Sequence, residues 1–382
     1  MMTDQIPAAR WQNYILEHGD GLVDFWRDHL KTRDRKILFI LAKGFDSRMC
    51  IGIETLLADD SVKNAEVLAI TFDEGESSPS HEYSAKVAEN WNRLENVIGD
   101  KAILSTREIN IWSEDRRRRV GSRAATEIFT NTAELQKFTD IVIDVSAMPR
   151  SIYMPLIASI LNRLEEIESS TPVINLHIWV AENPSLDINI KDEEIDADAD
   201  FIHGFRGGFD LESTAEQPHV WLPLLGEEQK TQLERINELI KPNEICPVLP
   251  SPSLNPRRGD SLVLEYRDFL FDTLNVEPRN FIYAAERNPF EVYRQIRRTI
   301  LHYREALKPL GGSKAVLSTL SSKLMSLGVL LVAYELKSLK VDVGIAHIEA
   351  NGYKITEGFD EKAISSKSEL FGLWIFGECY EY

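Results

Sequence analysis

Apolar residues in this chain come in short dense runs separated by longer amphipathic stretches. Residues 36–42, 66–73, 141–145 and 174–183 are such runs, and so are 245–250, 280–287, 315–319 and 343–351. Each is too short for a helix, and most are followed by apolar residues at helical spacing. That alternation predicts buried strands joined by helices, an α/β fold with largely parallel sheets. Ahead of them, Trp11, Ile15, Leu22 and Phe25 suggest an amphipathic helix over residues 11–30, interrupted by Gly19-Asp20-Gly21, that packs on the first half.

The stretch 139–151 organises the rest. Its apolar run ends in Ser146-Ala147-Met148-Pro149-Arg150-Ser151, a strand turning sharply into a helix. Ser146 is the expected helix cap and Pro149 fits the first turn, where a missing N–H costs little. Arg150 would then stand beside exposed helix amides, and the two together favour a phosphate or carboxylate. A second copy follows Gly311-Gly312-Ser313-Lys314: an apolar run, then Ser318, Thr319, Leu320, Ser321, Ser322 and Lys323, then a strongly apolar helix. The flanking runs match in order as well. We therefore expect two tandem Rossmann-like three-layer halves forming a pseudo-dimer, at 34–210 and 241–355. An N-terminal helical extension (1–33), a linker helix (211–240) and a C-terminal tail (356–382) complete the expected layout.

Loops after first strands are the second place where such folds hold ligands. In the first half this loop holds Gly44, Asp46, Ser47 and Arg48, and in the second the proline-rich stretch 251–260 with Arg257 and Arg258 takes that place. The run Arg116 to Arg119 reads as a solvated face paired with local acids, with phosphate binding as the other reading. The acidic stretch 187–200 reads as a mobile loop or one ordered on contact.

Length and charge narrow the function. A chain of 382 residues with 43% hydrophobic content can bury two cores. A net charge of −18 opposes long nucleic acid and anionic membranes but not a small anion met by a few arginines. The three scattered cysteines, Cys50, Cys246 and Cys379, fit neither a disulfide framework nor a zinc site, and with no signal segment apparent the expected location is cytoplasmic. Neither a dinucleotide fingerprint, a Walker A loop, a zinc helix nor a nucleophile elbow is present, so no cofactor or metal is expected. His177 and His347 read as hydrogen-bonded core histidines. Glu182 and Glu349, at strand ends, read as ribose contacts or loop caps.

The segment 318–328, with Ser321-Ser322-Lys323, resembles the strand–turn–helix of CRISPR-associated Rossmann-fold (CARF) and related SAVED sensor domains. Residues 144–150 are similar, with Arg150 in place of the lysine, although both copies lack the paired glycines usual there. The resemblance implies that Ser321, Ser322, Lys323, Ser146, Arg150 and the first-strand loops contact a cyclic oligonucleotide second messenger, with Ser151 and Ser318 beside them. It implies a sensor in prokaryotic antiviral defence that acts through a separate effector protein or self-association. The alternative is an enzyme acting on a nucleotide or phosphorylated small molecule at the same loops, with Asp46, Asp73 or Glu286 as acid or base. The site would be one composite cleft between the halves.

Overall fold

The structure, a computed structural model, describes residues 7–73, 75, 78–115, 117–167, 173–209, 211, 216–356 and 367–380. The chain divides into two compact units, one of Leu16–Gly204 with His347–Tyr382 (the first unit) and one of Met1–Ile15 with Phe205–Ala346 (the second). Each is an α/β unit built on a mainly parallel sheet, as the hydrophobic pattern predicts.

Seven strands form the first sheet: β1 (Ile15–His18), β2 (Ile37–Ala42), β3 (Ala65–Asp73), β4 (Ala102–Asn110), β5 (Asp140–Asp144), β6 (Asn175–Glu182) and β16 (Glu369–Phe376). Their order is β1-β16-β6-β5-β2-β3-β4. Strands β2 to β6 pair in parallel, and β16 joins antiparallel to β6. Every residue of β2 and β5 is buried, as expected of central strands covered on both faces. At the edge, β4 carries Arg107 and Glu108 and is mostly exposed, which blunts further strand pairing. Helix α1 (Gly19–Lys31) belongs to this unit and packs on β16. It starts later than expected, because residues 15–18 form β1.

The second sheet contains β8 (Asp200–Arg206), β9 (His219–Leu224), β11 (Val248–Pro250), β12 (Ile282–Ala284), β13 (Lys314–Thr319) and β14 (Val343–His347), with the short β10 (Glu244–Ile245) beside β9. The order is β12-β11-β9-β13-β14-β8, and strands β9 to β14 pair in parallel. Both sheets share one winding pattern. Setting aside the two-residue β10, the first parallel strand is central, the next two lie to one side, and the following two lie to the other.

Three segments differ from the expected layout. The stretch expected as a linker helix, 211–240, holds the central strand β9 as well as helix α7 (Lys230–Ile240). His219-Val-Trp-Leu-Pro-Leu224 is only six residues long and contains a proline, so the stronger helical signal beside it masked it. The proline-rich loop 251–260 consequently follows the second parallel strand, not the first. Downstream of β14 the chain returns to the first unit, where the expected tail supplies β16 and the end of the expected second half, 350–355, supplies a further strand. That strand is β15 (Ala350–Ile355), which pairs antiparallel with β7 (Ile190–Ile195), so much of the acidic stretch 187–200 is an ordered ribbon strand.

Two long helices explain the most apolar segments. Helix α10 (Lys323–Ser338) is buried at every position from Leu324 to Leu336, and a helix apolar all round belongs inside a core. It lies against α9 (Pro289–Ala306), so close that a Cβ on Gly328 would come within 2.5 Å of the Pro289 carbonyl oxygen. Helix α5 (Arg150–Glu166) fills the same role in the first unit. No described helix is long and apolar enough to cross a membrane.

Candidate functional site

In each unit the strand order reverses beside the first parallel strand, and two loops meet there. In the first unit these are the loop after β2 and the turn after β5. A Cβ on Gly44 would lie 4.0 Å from the Cβ and carbonyl oxygen of Ala147. In the second unit they are the loop after β9 and the turn after β13, where a Cβ on Gly226 would collide with the Leu320 carbonyl. Open α/β sheets bind ligands at such reversals, outside the carboxyl ends of the strands.

The first-unit loop is held firmly. Asp46 accepts from the Arg48 N–H at 3.0 Å and caps the turn Ser47–Cys50. The Arg48 guanidinium grips the Asp46 carboxylate (Nε at 3.1 and 3.0 Å, Nη2 at 2.7 Å) and reaches Asp187 at 2.8 Å and the Ala181 carbonyl at 3.4 Å. Burial opposes its charge, but Asp187 and Asp46 outweigh that and raise its pKa. Arg48 is only 3% exposed, so it serves as a clamp tying this loop to the end of β6. The Ser47 carbonyl accepts from Arg93 at 3.4 Å, and Asn90 Nδ2 donates to the Gly44 and Phe45 carbonyls at 3.1 and 2.8 Å.

The turn after β5 is equally tied down. Asp144 accepts from the Ser146 N–H at 2.8 Å, and the buried Ser146 hydroxyl accepts from the Ala181 N–H at 2.8 Å. Ser146 therefore braces the strand end instead of capping α5, whose cap position is the extended Pro149. Arg150, half-buried, is the first residue of α5, followed by the buried Ser151.

Over this edge lies the β7–β15 ribbon. Arg119 holds it: Nε and Nη2 donate to Asp196 at 2.7 and 3.0 Å, and Nη2 also reaches Asn351 Oδ1 at 2.6 Å. The same guanidinium lies 4.4 Å above the Trp112 ring. Of the arginine run, Arg117 and Arg118 are exposed, and Arg116 lies outside the described residues.

Two residues where the chain re-enters this unit add a titratable pair. Burial first, and the nearby Asp196 and Asp192 further, push the Glu349 carboxyl up to about 7 against the pull of Arg119 and a hydrogen bond from Ser151. Burial and the charge of Arg150 push His347 down to about 4. His347 Nε2 is 3.9 Å from Glu349, and its buried Nδ1 has no hydrogen-bond partner among the described residues.

In the second unit, Ser318 is buried and accepts from Trp221 Nε1 at 3.1 Å, while Ser321 donates to the Met325 sulfur at 3.4 Å. Ser322 caps α10 through the Met325 N–H at 3.2 Å, and Lys323 is the first helical residue. Lys323 and Arg150 thus hold the same position on the helix after the fourth parallel strand. Arg258 makes two 2.7 Å contacts with Glu227 and also pairs with Glu286. Arg257 is exposed at the cap position of α8 (Arg258–Glu265).

The expected acid–base candidates Asp46 and Glu286 are therefore held in ion pairs. Asp73 accepts from the Gly75 N–H at 2.9 Å. Sequence reading missed Arg119 as the ribbon's anchor, Phe45 beside Gly44, and the Glu349–His347 pair. The ribbon pairs residues more than 150 positions apart, which no local pattern shows.

Among the described residues, a cluster of metal-ligand type, His29, Asp140 and His177, lies at the opposite end of β5. Asp140 accepts from His29 at 2.7 Å, His177 at 3.3 Å, Asn175 at 3.0 Å and Thr139 at 2.6 Å. Arg35 lies 3.5 Å from its second oxygen, and Glu378 pairs with Arg35 and Arg33. Two carboxylates already balance two guanidiniums there, so a dication would add uncompensated buried charge. The arrangement fits a hydrogen-bonded core, as expected for His177.

No protein-family model matches the chain, and no curated protein does. Among solved structures, a functionally unknown protein, PA1789 from Pseudomonas aeruginosa PAO1, aligns at 10% identity over 83% of this chain and 94% of its own, with a TM-score of 0.22. A protein described as a candidate UDP-N-acetylglucosamine 2-epimerase from Listeria monocytogenes aligns at 11% identity over 81% and 90%, with a TM-score of 0.18. Similarity at that level carries no functional argument.

Proposed function

We propose that this chain binds a small nucleotide-type anion at the carboxyl ends of its strands, in a sensor or regulatory role. The observation that carries the reading is the recurrence, in both units, of two loops meeting at the strand-order reversal with a basic residue opening the adjoining helix. Arg150 and Lys323 supply the charge, and the helix amides beside them favour an anion. Arg48 and Arg258 act as supports within their carboxylate pairs. The resemblance to CARF and SAVED domains extends the reading to a cyclic oligonucleotide messenger, an effector partner or self-association, and antiviral signalling in the cytoplasm.

Calorimetric titration of the full chain with AMP, cyclic di-AMP and inorganic phosphate tests this. Arg150→Ala and Lys323→Ala should each weaken nucleotide binding by about ten- to hundredfold while leaving the melting temperature nearly unchanged, as expected for loss of a charge-assisted hydrogen bond. The double variant separates one shared ligand from two independent ones. Unchanged affinity in both single variants sinks the reading.

A second reading, an enzyme on the same ligand class, draws on the Glu349–His347 pair, whose proton affinities are pushed apart beside the proposed site. Product analysis of nucleotide incubations distinguishes it. With His347 as base and Glu349 as acid, the rate should be highest between about pH 4 and 7 and fall above that range.

A further inference from the structure

Three aromatic rings stand half-buried at the first unit's ligand edge, and anion binding alone does not use them. Phe45 directly follows Gly44, where the two loops meet. Its ring centroid lies 4.9 Å from that of Tyr83 at an interplanar angle of 37°, and 6.3 Å from that of Tyr353 at 51°. Both neighbours meet it at a tilt, so neither forms a parallel stack with it. All three rings have anchored backbones or tips. Asn90 holds the Gly44 and Phe45 carbonyls, the Tyr83 hydroxyl accepts from the Ile355 N–H at 2.9 Å, and Tyr353 sits in the β15 ladder opposite Asp192.

Such rings lose little freedom when a flat partner settles on them. They do not belong to the hydrophobic cluster packed around Phe39 and Leu41 of β2. A base stacked on aromatic side chains with its phosphate on a nearby cation is a general mode of nucleotide recognition. Here Phe45 lies one residue from the loop contact and Arg150 three residues beyond it on the other side.

We propose that Phe45, backed by Tyr83 and Tyr353, is the nucleobase platform of the first unit, which makes the ligand an aromatic-base-bearing anion and not a sugar phosphate. This rests on the anion-binding reading above. The competing role for the rings is purely to seat the ribbon.

The test measures affinities of the full chain for AMP, cyclic di-AMP and ribose 5-phosphate, in wild type, Phe45→Ala, Phe45→Leu, Phe45→Trp and Arg150→Ala. In wild type a base-bearing probe should bind about ten- to hundredfold tighter than ribose 5-phosphate, the size of one stacking contact. Phe45→Ala should bring that ratio close to one, and Phe45→Trp should keep it. Phe45→Leu retains an apolar contact with the ribbon but no flat face, so it reports the same loss if the alanine variant folds poorly. Arg150→Ala should weaken all probes alike. A base preference that survives in folded Phe45→Leu overturns the platform and leaves anion binding standing. Equal, Arg150-dependent binding of base-bearing and base-free probes to wild type does the same. Failure of every probe to bind wild type overturns the anion reading and the platform with it.

Discussion

Asp140 has no exposed surface, yet five donors surround it. Burial alone would raise its pKa, but hydrogen bonds from His177 and His29 and their charge hold it far below the usual carboxylate range. Its folded-state value is depressed, so the stability it contributes is present above the unfolded pKa of about 3.9 and is lost as pH falls below that. Asp140→Asn should cost about 3–5 kcal/mol at neutral pH, because the donors and the Arg35 charge lose their buried partner. Urea unfolding from pH 3 to 7 checks both the loss and its fading toward low pH. Glu349 predicts the opposite trend. Its folded value near 7 lies above the unfolded one, so the folded state loses stability as pH rises from about 4.3 through 7. Glu349→Gln should flatten that slope in melting curves between pH 5 and 8. An identical slope in the variant would show that the carboxyl titrates normally.

At the scale of elements, the β7–β15 ribbon is fastened by Arg119 to Asp196 and Asn351, by the Tyr83 hydroxyl to the Ile355 N–H, and by the seating of Gly352 against Pro79. Arg119→Ala should speed amide hydrogen exchange across Ala350–Ile355 while β2 and β5, buried throughout, keep their protection. Uniform acceleration would mean that Arg119 supports the whole unit. The helix pair α9–α10 makes the converse case. Gly328→Ala puts a methyl against a backbone carbonyl and the Val292 Cβ at 2.6 Å, and overpacking of that kind costs about 1–3 kcal/mol. These elements differ in how far the sequence reveals them. The dense runs at 37–42 and 141–144 and the apolar helix α10 carry their own burial signal and are legible. Strand β9, short and broken by Pro223, and the ribbon, held by pairing over long separations, are not. The same holds at the site. The caps and basic residues of the two turns are visible locally, whereas the commitment of Arg48 to Asp187 and of Arg258 to Glu286 depends on loops brought together by the winding of the sheets.

For the whole molecule, the route of the chain sets which pieces can fold. The second unit takes in the N-terminal segment: Trp11 is fully buried, its ring edge-on to Tyr293 at 5.4 Å. Arg297 donates to the Pro7 carbonyl at 2.7 Å, and the Arg10 N–H donates to the buried Glu335 at 3.2 Å. The first unit takes in the C-terminal segment, where β16 covers β6, a strand buried at seven of its eight positions. A fragment of residues 241–355, the compact half that the hydrophobic pattern suggests, lacks β9, the strand that joins β11 to β13. It should stay unfolded, with a collapsed amide spectrum. A fragment of residues 200–347 retains β8, β9 and β14 and lacks the N-terminal strap. Losing Trp11 from its pocket should cost about 3–5 kcal/mol, enough to leave a domain of marginal stability largely unfolded. Adding a peptide of residues 1–15 in excess should then restore dispersed amide signals and raise the melting temperature with peptide concentration. The same peptide carrying Trp11→Ala should fail to do so. A dispersed spectrum from residues 241–355 alone, or equal rescue by both peptides, would show that the second unit does not depend on this threading.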